Sequence, residues 1–178
     1  MEKKLTHQAI VDKAQRAYQE GLLEAAADGF AQAAASYESG GEKALAAEMK
    51  NNQSVALLRA GQAEAALEAV EGTDAVFAAI GDLKHQGMAL TNHGSALEKL
   101  KRYSDAIQAY HLAADVLENA GLGDLRAEVM QTLSVLLFRR GKFMDAAIAL
   151  MSGLGGVENP TPRQKLMKKI LSALPIWR

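Results

Sequence analysis

The chain has 178 residues, of which 49% are hydrophobic and 23% charged, a composition typical of a folded domain or a short repeat array. It contains no cysteine, which excludes a disulfide scaffold and cysteine metal ligands. The net charge of −1 is unevenly distributed, because residues 1–160 sum to −6 whereas residues 161–178 hold five cations and no acid. An acidic body argues against nucleic-acid binding, which depends on a basic face.

The composition favours helices. There are 34 alanines but only 19 valine, isoleucine and threonine residues together, and alanine is the best helix former. No apolar run approaches the ~18 residues that a membrane-spanning helix needs. The first ten residues carry positive charge but are not followed by the apolar core of a signal peptide. We therefore expect an all-α cytoplasmic protein.

The sequence repeats every 40 residues. An alanine recurs every 40 residues. A small residue lies twelve positions before each of these alanines, and a large apolar residue lies four positions after it. Three columns define the period: Ala14, Ser54, Gly94 and Ser134; Ala26, Ala66, Ala106 and Ala146; Phe30, Val70, Tyr110 and Leu150. Glycines close the units at Gly41, Gly81 and Gly121. A fixed period in this range is typical of repeat architectures.

Within each unit the apolar spacing is helical, in steps of three and four residues. We predict two antiparallel helices per unit, A and B. The A helices are expected near residues 6–20, 42–60, 83–100 and 123–140, and the B helices near 23–39, 63–79, 103–119 and 143–153. The small residues Gly94 and Ala106 are expected where the two helices cross closely.

This pattern resembles the tetratricopeptide repeat, in the 40-residue variant seen in kinesin light chain-like adaptors. The third unit carries the resemblance, through Gly94, Leu97, Tyr103, Ala106, Tyr110 and Ala113. The resemblance implies a right-handed α-solenoid of four helix-turn-helix repeats (about 7–40, 41–80, 81–120 and 121–155) within residues 1–158. It also implies that the A helices line a concave groove that binds a peptide or a helix of another protein.

Polar side chains occupy the A-helix face that the core does not use. One column contains Asp12, Asn52, Asn92 and Thr132, and its neighbour contains Val11, Asn51, Thr91 and Gln131. An asparagine amide both donates and accepts, so it can pair with a bound peptide bond. In the family that this chain resembles, an asparagine at this place contacts peptide backbone. We predict such contacts for Asn52 and Asn92, with Asn51 and Gln131 supplying specificity. The alternative is that these amides bond to neighbouring A helices or face water.

A column of cations, Arg59, Lys99 and Arg139, ends the A helices. Cations there complement the helix dipole, or they form a ridge that recognises acidic groups of a ligand. The two-carboxylate clamp of chaperone-binding tetratricopeptide proteins is not reproduced, because Val11 and Gln15 stand at the first-unit positions.

Residues 159–178 form a basic tail. Thr161, Pro162 and Gln164 predict a capped helix start, and a helix to about Leu174 would carry one apolar stripe with lysines opposite. The stripe contains Leu166, Met167, Ile170, Leu171 and Leu174. We expect this helix to cap the array; docking on an anionic membrane or on a partner, with the terminal Trp177, stays open.

No catalytic or metal-binding motif is recognisable. The histidines lack the spacing of a metal site, and the glycine-rich segments lack a phosphate-loop lysine. We therefore predict a non-enzymatic adaptor or scaffold without a cofactor or a nucleic-acid partner. Two alternatives remain: a homo-oligomeric structural scaffold, and a membrane-surface adaptor that uses the basic C-terminal helix.

Overall fold

The computed structural model describes residues 7–157 and 159–173. The predicted tail residues beyond these, including Leu174 and Trp177, lie outside the described residues. Ten helices occupy the described part of the chain, and it contains no strand. They are α1 (His7–Gln19), α2 (Leu23–Ser39), α3 (Lys43–Arg59), α4 (Ala63–Val70), α5 (Thr73–Ala79), α6 (Leu83–Lys99), α7 (Tyr103–Asn119), α8 (Gly123–Arg139), α9 (Phe143–Gly155) and α10 (Pro162–Ser172). The predicted all-α class is confirmed.

The helices pack in adjacent pairs along the chain. Helices α1, α3, α6 and α8 are the predicted A helices, and α2, α4 with α5, α7 and α9 are the B helices. The column of alanines at 26, 66, 106 and 146 is buried, as the repeat pattern indicates. At Gly94, an added Cβ atom would lie 2.9 Å from the ring of Tyr110, so the small residue is what allows α6 and α7 to cross closely.

The same turn ends helices throughout the described chain. After α1, the Gly21 N–H donates to the carbonyl of Tyr18, and the Leu22 N–H donates to the carbonyl of Ala17. This pair of bonds is a Schellman motif, which requires a left-handed residue at its centre. Glycine supplies it at six of seven turns, whereas Lys101 takes the position at the seventh with a φ of 62°. Lys101 therefore carries backbone strain that glycine would not.

The second B helix differs from the prediction. Instead of one helix over 63–79, the chain breaks at Glu71 and Gly72 into α4 and α5, with Gly72 at a φ of 74°. The next residue, Thr73, is buried, and its hydroxyl donates to the carbonyl of Val70 at 2.8 Å. A threonine hydroxyl competes for backbone carbonyls in this way and stabilises non-helical turns. The prediction of a continuous helix was wrong because it followed the apolar spacing, which contains no signal for the left-handed Gly72 or for the hydroxyl bond of Thr73.

The last helices also differ in detail from the prediction. Helix α9 continues to Gly155, two residues beyond the predicted end. The capping box of α10 is confirmed, because the hydroxyl oxygen of Thr161 accepts from the Gln164 backbone N–H and the Gln164 side chain accepts from the Thr161 N–H.

Helix α10 packs loosely on α9, and its predicted stripe splits between two faces. Met167 and Leu171 are half-buried, whereas Leu166 and Ile170 are 59% and 57% exposed. The side of α10 that is half-buried carries Gln164, Met167 and Leu171. Only part of the predicted apolar stripe is therefore covered by the other helices. Among the described residues, no helix combines the length and the apolar character needed to cross a bilayer.

Candidate functional site

The two adjacent asparagines of α3 have opposite environments. Asn51 is only 8% exposed, and its Nδ2 donates to the Ala47 carbonyl at 3.0 Å and to the Thr73 hydroxyl at 3.1 Å. Its Oδ1 accepts from Asn92 Nδ2 at 3.2 Å. The amide of Asn51 is therefore used entirely inside the protein, where it joins α3, α5 and α6. These bonds agree with the alternative interpretation, in which the amide bonds to neighbouring helices rather than to a ligand.

Asn52, one residue further on, is half-buried, and its side-chain amide makes no hydrogen bond with another described residue. It lies beside a cavity of about 250 Å³ between α1 and α3. The cavity is lined by Gln15, Tyr18, Gln19, Phe30, Asn52 and Val55. An amide with its donors and its acceptor unused, next to an apolar wall, is suited to hold the backbone of a peptide.

Asn92 lies in the corresponding place between α6 and α8. Its Nδ2 is committed to Asn51, so its Oδ1 remains as an acceptor for a ligand N–H. The cavity here is about 240 Å³. It is lined by Met88, Thr91, Asn92, Leu117, Leu125, Glu128, Val129 and Thr132. Asn92 therefore connects a surface cavity to the buried Asn51–Thr73 pair.

Gln131 does not join this arrangement. Its side chain is exposed and lines a different cavity of about 470 Å³, between α8, α9 and α10, together with Gln164 and Met167. The prediction grouped Gln131 with Asn51 because both share one column of the repeat. Helix α8 is the last A helix of the described chain, and Gln131 on it lies beside a cavity that α10 helps to line. The environment of Gln131 therefore differs from that of Asn51.

The three column cations are all exposed but are not equally free. The Arg59 guanidinium lies over the ring of Tyr18, 4.7 Å from its centroid. Arg139 Nη1 lies 3.6 Å from Glu98 Oε1, and Glu98 Oε2 accepts a hydrogen bond from the hydroxyl of the buried Tyr110. Lys99 has no carboxylate within 4 Å among the described residues. Lys99 is therefore the cation most available to an acidic ligand.

Several residues of this surface escaped the sequence prediction. Tyr18 and Val55 line the first cavity, and Met88, which is 43% exposed, lines the second. A signal for Val55 was present, because it follows Asn52 by three residues on the same helix face. Tyr18 gave no signal of its own, since its position in the other units is held by Leu58, Glu98 and Phe138.

Two pKa values are shifted in the described part of the chain. The backbone N–H of His85 donates to Asp82 at the start of α6 and lowers the pKa of that carboxyl below its ordinary value of 3.8. Burial raises the pKa of the Tyr110 hydroxyl. Both have structural explanations, a helix N-cap and a core hydroxyl. In residues 7–157 and 159–173, no cluster of three His, Asp or Glu side chains is arranged to hold a metal ion.

The sequence matches no protein-family model, and comparison with curated protein sequences finds no significant match.

Proposed function

We propose that this protein is a non-catalytic interaction module, a right-handed solenoid of the tetratricopeptide type that binds a peptide or a helix of a partner along its A helices. Three observations support the proposal: the 40-residue repeat, the pairing of adjacent helices, and the Schellman turn that recurs between them. Repeats of this kind build extended surfaces rather than enclosed catalytic pockets.

The side-chain amide of Asn52, which is unpaired among the described residues, is the main observation behind the proposal. A half-buried amide normally satisfies its hydrogen bonds with protein or water, and this one has no protein partner within the described residues. Beside it, Tyr18 and Val55 offer apolar contact area in the same cavity. A ligand that brings one peptide group and one apolar side chain to this place would satisfy both features.

The cation column gives the ligand a second property. Arg59, Lys99 and Arg139 follow one another at 40-residue intervals, each in the last turn of its A helix. Packed helices lie about 8–10 Å apart, and an extended chain advances about 3.3 Å per residue. An extended ligand would therefore meet successive cations with acidic side chains at about every third residue.

The proposal assigns the protein no reaction, no cofactor and a cytoplasmic location, on the sequence arguments given above. Its test is selection of peptides from a random display library on the full chain, followed by binding measurements with single variants. We expect selected peptides to carry spaced acidic residues, to lose at least ~5-fold in affinity to Asn52→Ala, and to bind unchanged to Asn119→Ala, an exposed control on α7. Peptides that bind both variants equally would contradict the assignment to the A-helix face.

A further inference from the structure

Helix α10 presents an outward face that no described residue covers. Leu166 and Ile170 lie one turn apart on this face, and Lys165 and Lys169 precede each of them by one position. No cation of α10 has a carboxylate within 4 Å in the described part of the chain. The face therefore combines two exposed aliphatic side chains with an unneutralised row of lysines.

The rest of the chain carries the complementary charge on its B helices. Helices α2, α4, α5, α7 and α9 contain ten acidic residues and neither lysine nor arginine. On α4, Glu64 and Glu68 are exposed, one turn apart, and have no cation within 4 Å among the described residues. Their spacing equals that of Lys165 and Lys169, so the two rows have opposite charges at the same separation.

A cavity adjoins the end of α4. It arises where the second B helix breaks, has a volume of about 340 Å³, and has an apolar floor formed by Ala46, Ala47 and Val76. Two acids and two lysines lie at its rim, and of these Glu38 and Lys50 form an ion pair. A leucine or isoleucine side chain fits a depression of this size, with its apolar atoms against the apolar floor.

We propose that α10 of one copy docks on the α4–α5 surface of a second copy, so that two copies form a symmetric dimer with two equivalent contacts. In each contact, Lys165 and Lys169 face Glu64 and Glu68, while Leu166 or Ile170 enters the cavity at the helix break. Two-fold symmetry repeats the contact. A single 11-residue helix covers little area, so each contact is small and the dimer is expected in the weak, micromolar range.

The charge distribution favours a second copy over a lipid surface as the occupant. An anionic membrane attracts the cations of α10 but repels residues 1–160, which sum to −6. A second copy offers an acidic surface to α10, and its own α10 is attracted in turn to the acidic surface of the first copy. The cavity at the helix break shares no lining residue with the cavities beside Asn52 and Asn92, so either proposal can fail without the other.

The test is a charge exchange in the full-length chain. We expect sedimentation equilibrium to show a dimer of the wild type that weakens between about 50 mM and about 500 mM NaCl. Lys165→Glu/Lys169→Glu and Glu64→Lys/Glu68→Lys should each weaken self-association at least ~10-fold, because the rows then repel. A mixture of the two variants should restore the dimer, since both contacts of the mixed pair again join opposite charges.

The control is Lys13→Glu/Lys84→Glu, which makes the same change in net charge as Lys165→Glu/Lys169→Glu, at two lysines on α1 and α6 that lie outside the proposed contact. It should dimerise like the wild type. Circular dichroism of each variant verifies that the helices are retained. A wild type that stays monomeric throughout the micromolar range overturns the proposal, as does a mixture that fails to associate. Flotation of the wild type with anionic vesicles, without any dimer, would assign α10 to the membrane instead.

Discussion

Replacing Asn51 and Asn52 separately by alanine should have very different effects on stability. Asn51→Ala removes a buried amide that makes three hydrogen bonds, to Ala47, Thr73 and Asn92. Its partners are not all orphaned, because the Thr73 hydroxyl still donates to the Val70 carbonyl and half-exposed Asn92 can turn to water. We expect one or two net hydrogen bonds to be lost, with a small packing defect, at a cost of ~2 kcal/mol.

Asn52→Ala removes a half-exposed side chain without a hydrogen bond to a described residue. Its effect should stay within ~0.5 kcal/mol, since alanine also has the higher helix propensity. Urea denaturation measures both free energies of unfolding, and thermal melting should place Asn51→Ala ~4–8 °C below the wild type for a chain of this length. A double-mutant cycle with Thr73→Val should return a coupling of ~1 kcal/mol. Equal destabilisation by the two alanines would refute the division of roles.

Three further predictions concern the backbone and the helix ends. Gly94→Ala should destabilise the protein by ~1–3 kcal/mol because its Cβ would lie 2.9 Å from the Tyr110 ring. Gly155→Ala, with open space around it, should be neutral or stabilising. Chemical denaturation compares the two variants, and equal effects would contradict the close crossing of α6 and α7. Lys101→Gly should raise stability by ~1 kcal/mol through relief of the 62° φ, and a lower melting temperature would argue against strain. Asp82→Ala should cost ~1 kcal/mol at neutral pH. Because the folded-state pKa of Asp82 is lowered, this cost should disappear as the pH falls through that value and protonates the carboxylate, and a cost that persists in acid would exclude the charged N-cap.

Much of the fold followed from periodicity. The turns that close the units were predictable because glycine recurs there at Gly41, Gly81 and Gly121, and each of these residues is left-handed. The bounds of α3, α6 and α8 lie within a residue of the prediction for the same reason. The prediction missed the break after Val70, since the break depends on the left-handed backbone of Gly72 and on the Thr73 hydroxyl bond to the Val70 carbonyl rather than on any hydrophobic pattern.

The candidate site was harder to predict than the fold. Column position indicated that Asn51 and Asn52 both lie on the A-helix surface, but one residue rotates the side chain by about 100° around the helix axis. That rotation turns Asn51 towards Thr73, and leaves Asn52 at the cavity with Tyr18. The break between α4 and α5 places Thr73 beside Asn51. This contact between helices engages Asn51 and leaves Asn52 as the outward-facing asparagine. Sequence periodicity alone contains no information about it.

The measurement that tests the central claim most directly is a titration of a selected peptide against the wild type and Asn52→Ala, followed by calorimetry. The claim that the A-helix face binds the ligand backbone predicts weaker binding by the variant at unchanged stability. Hydrogen exchange should then show protection on α1 and α3 of the wild type when the peptide is bound. Wild-type affinity in Asn52→Ala, with protection confined to α10 or to the B helices, would contradict it.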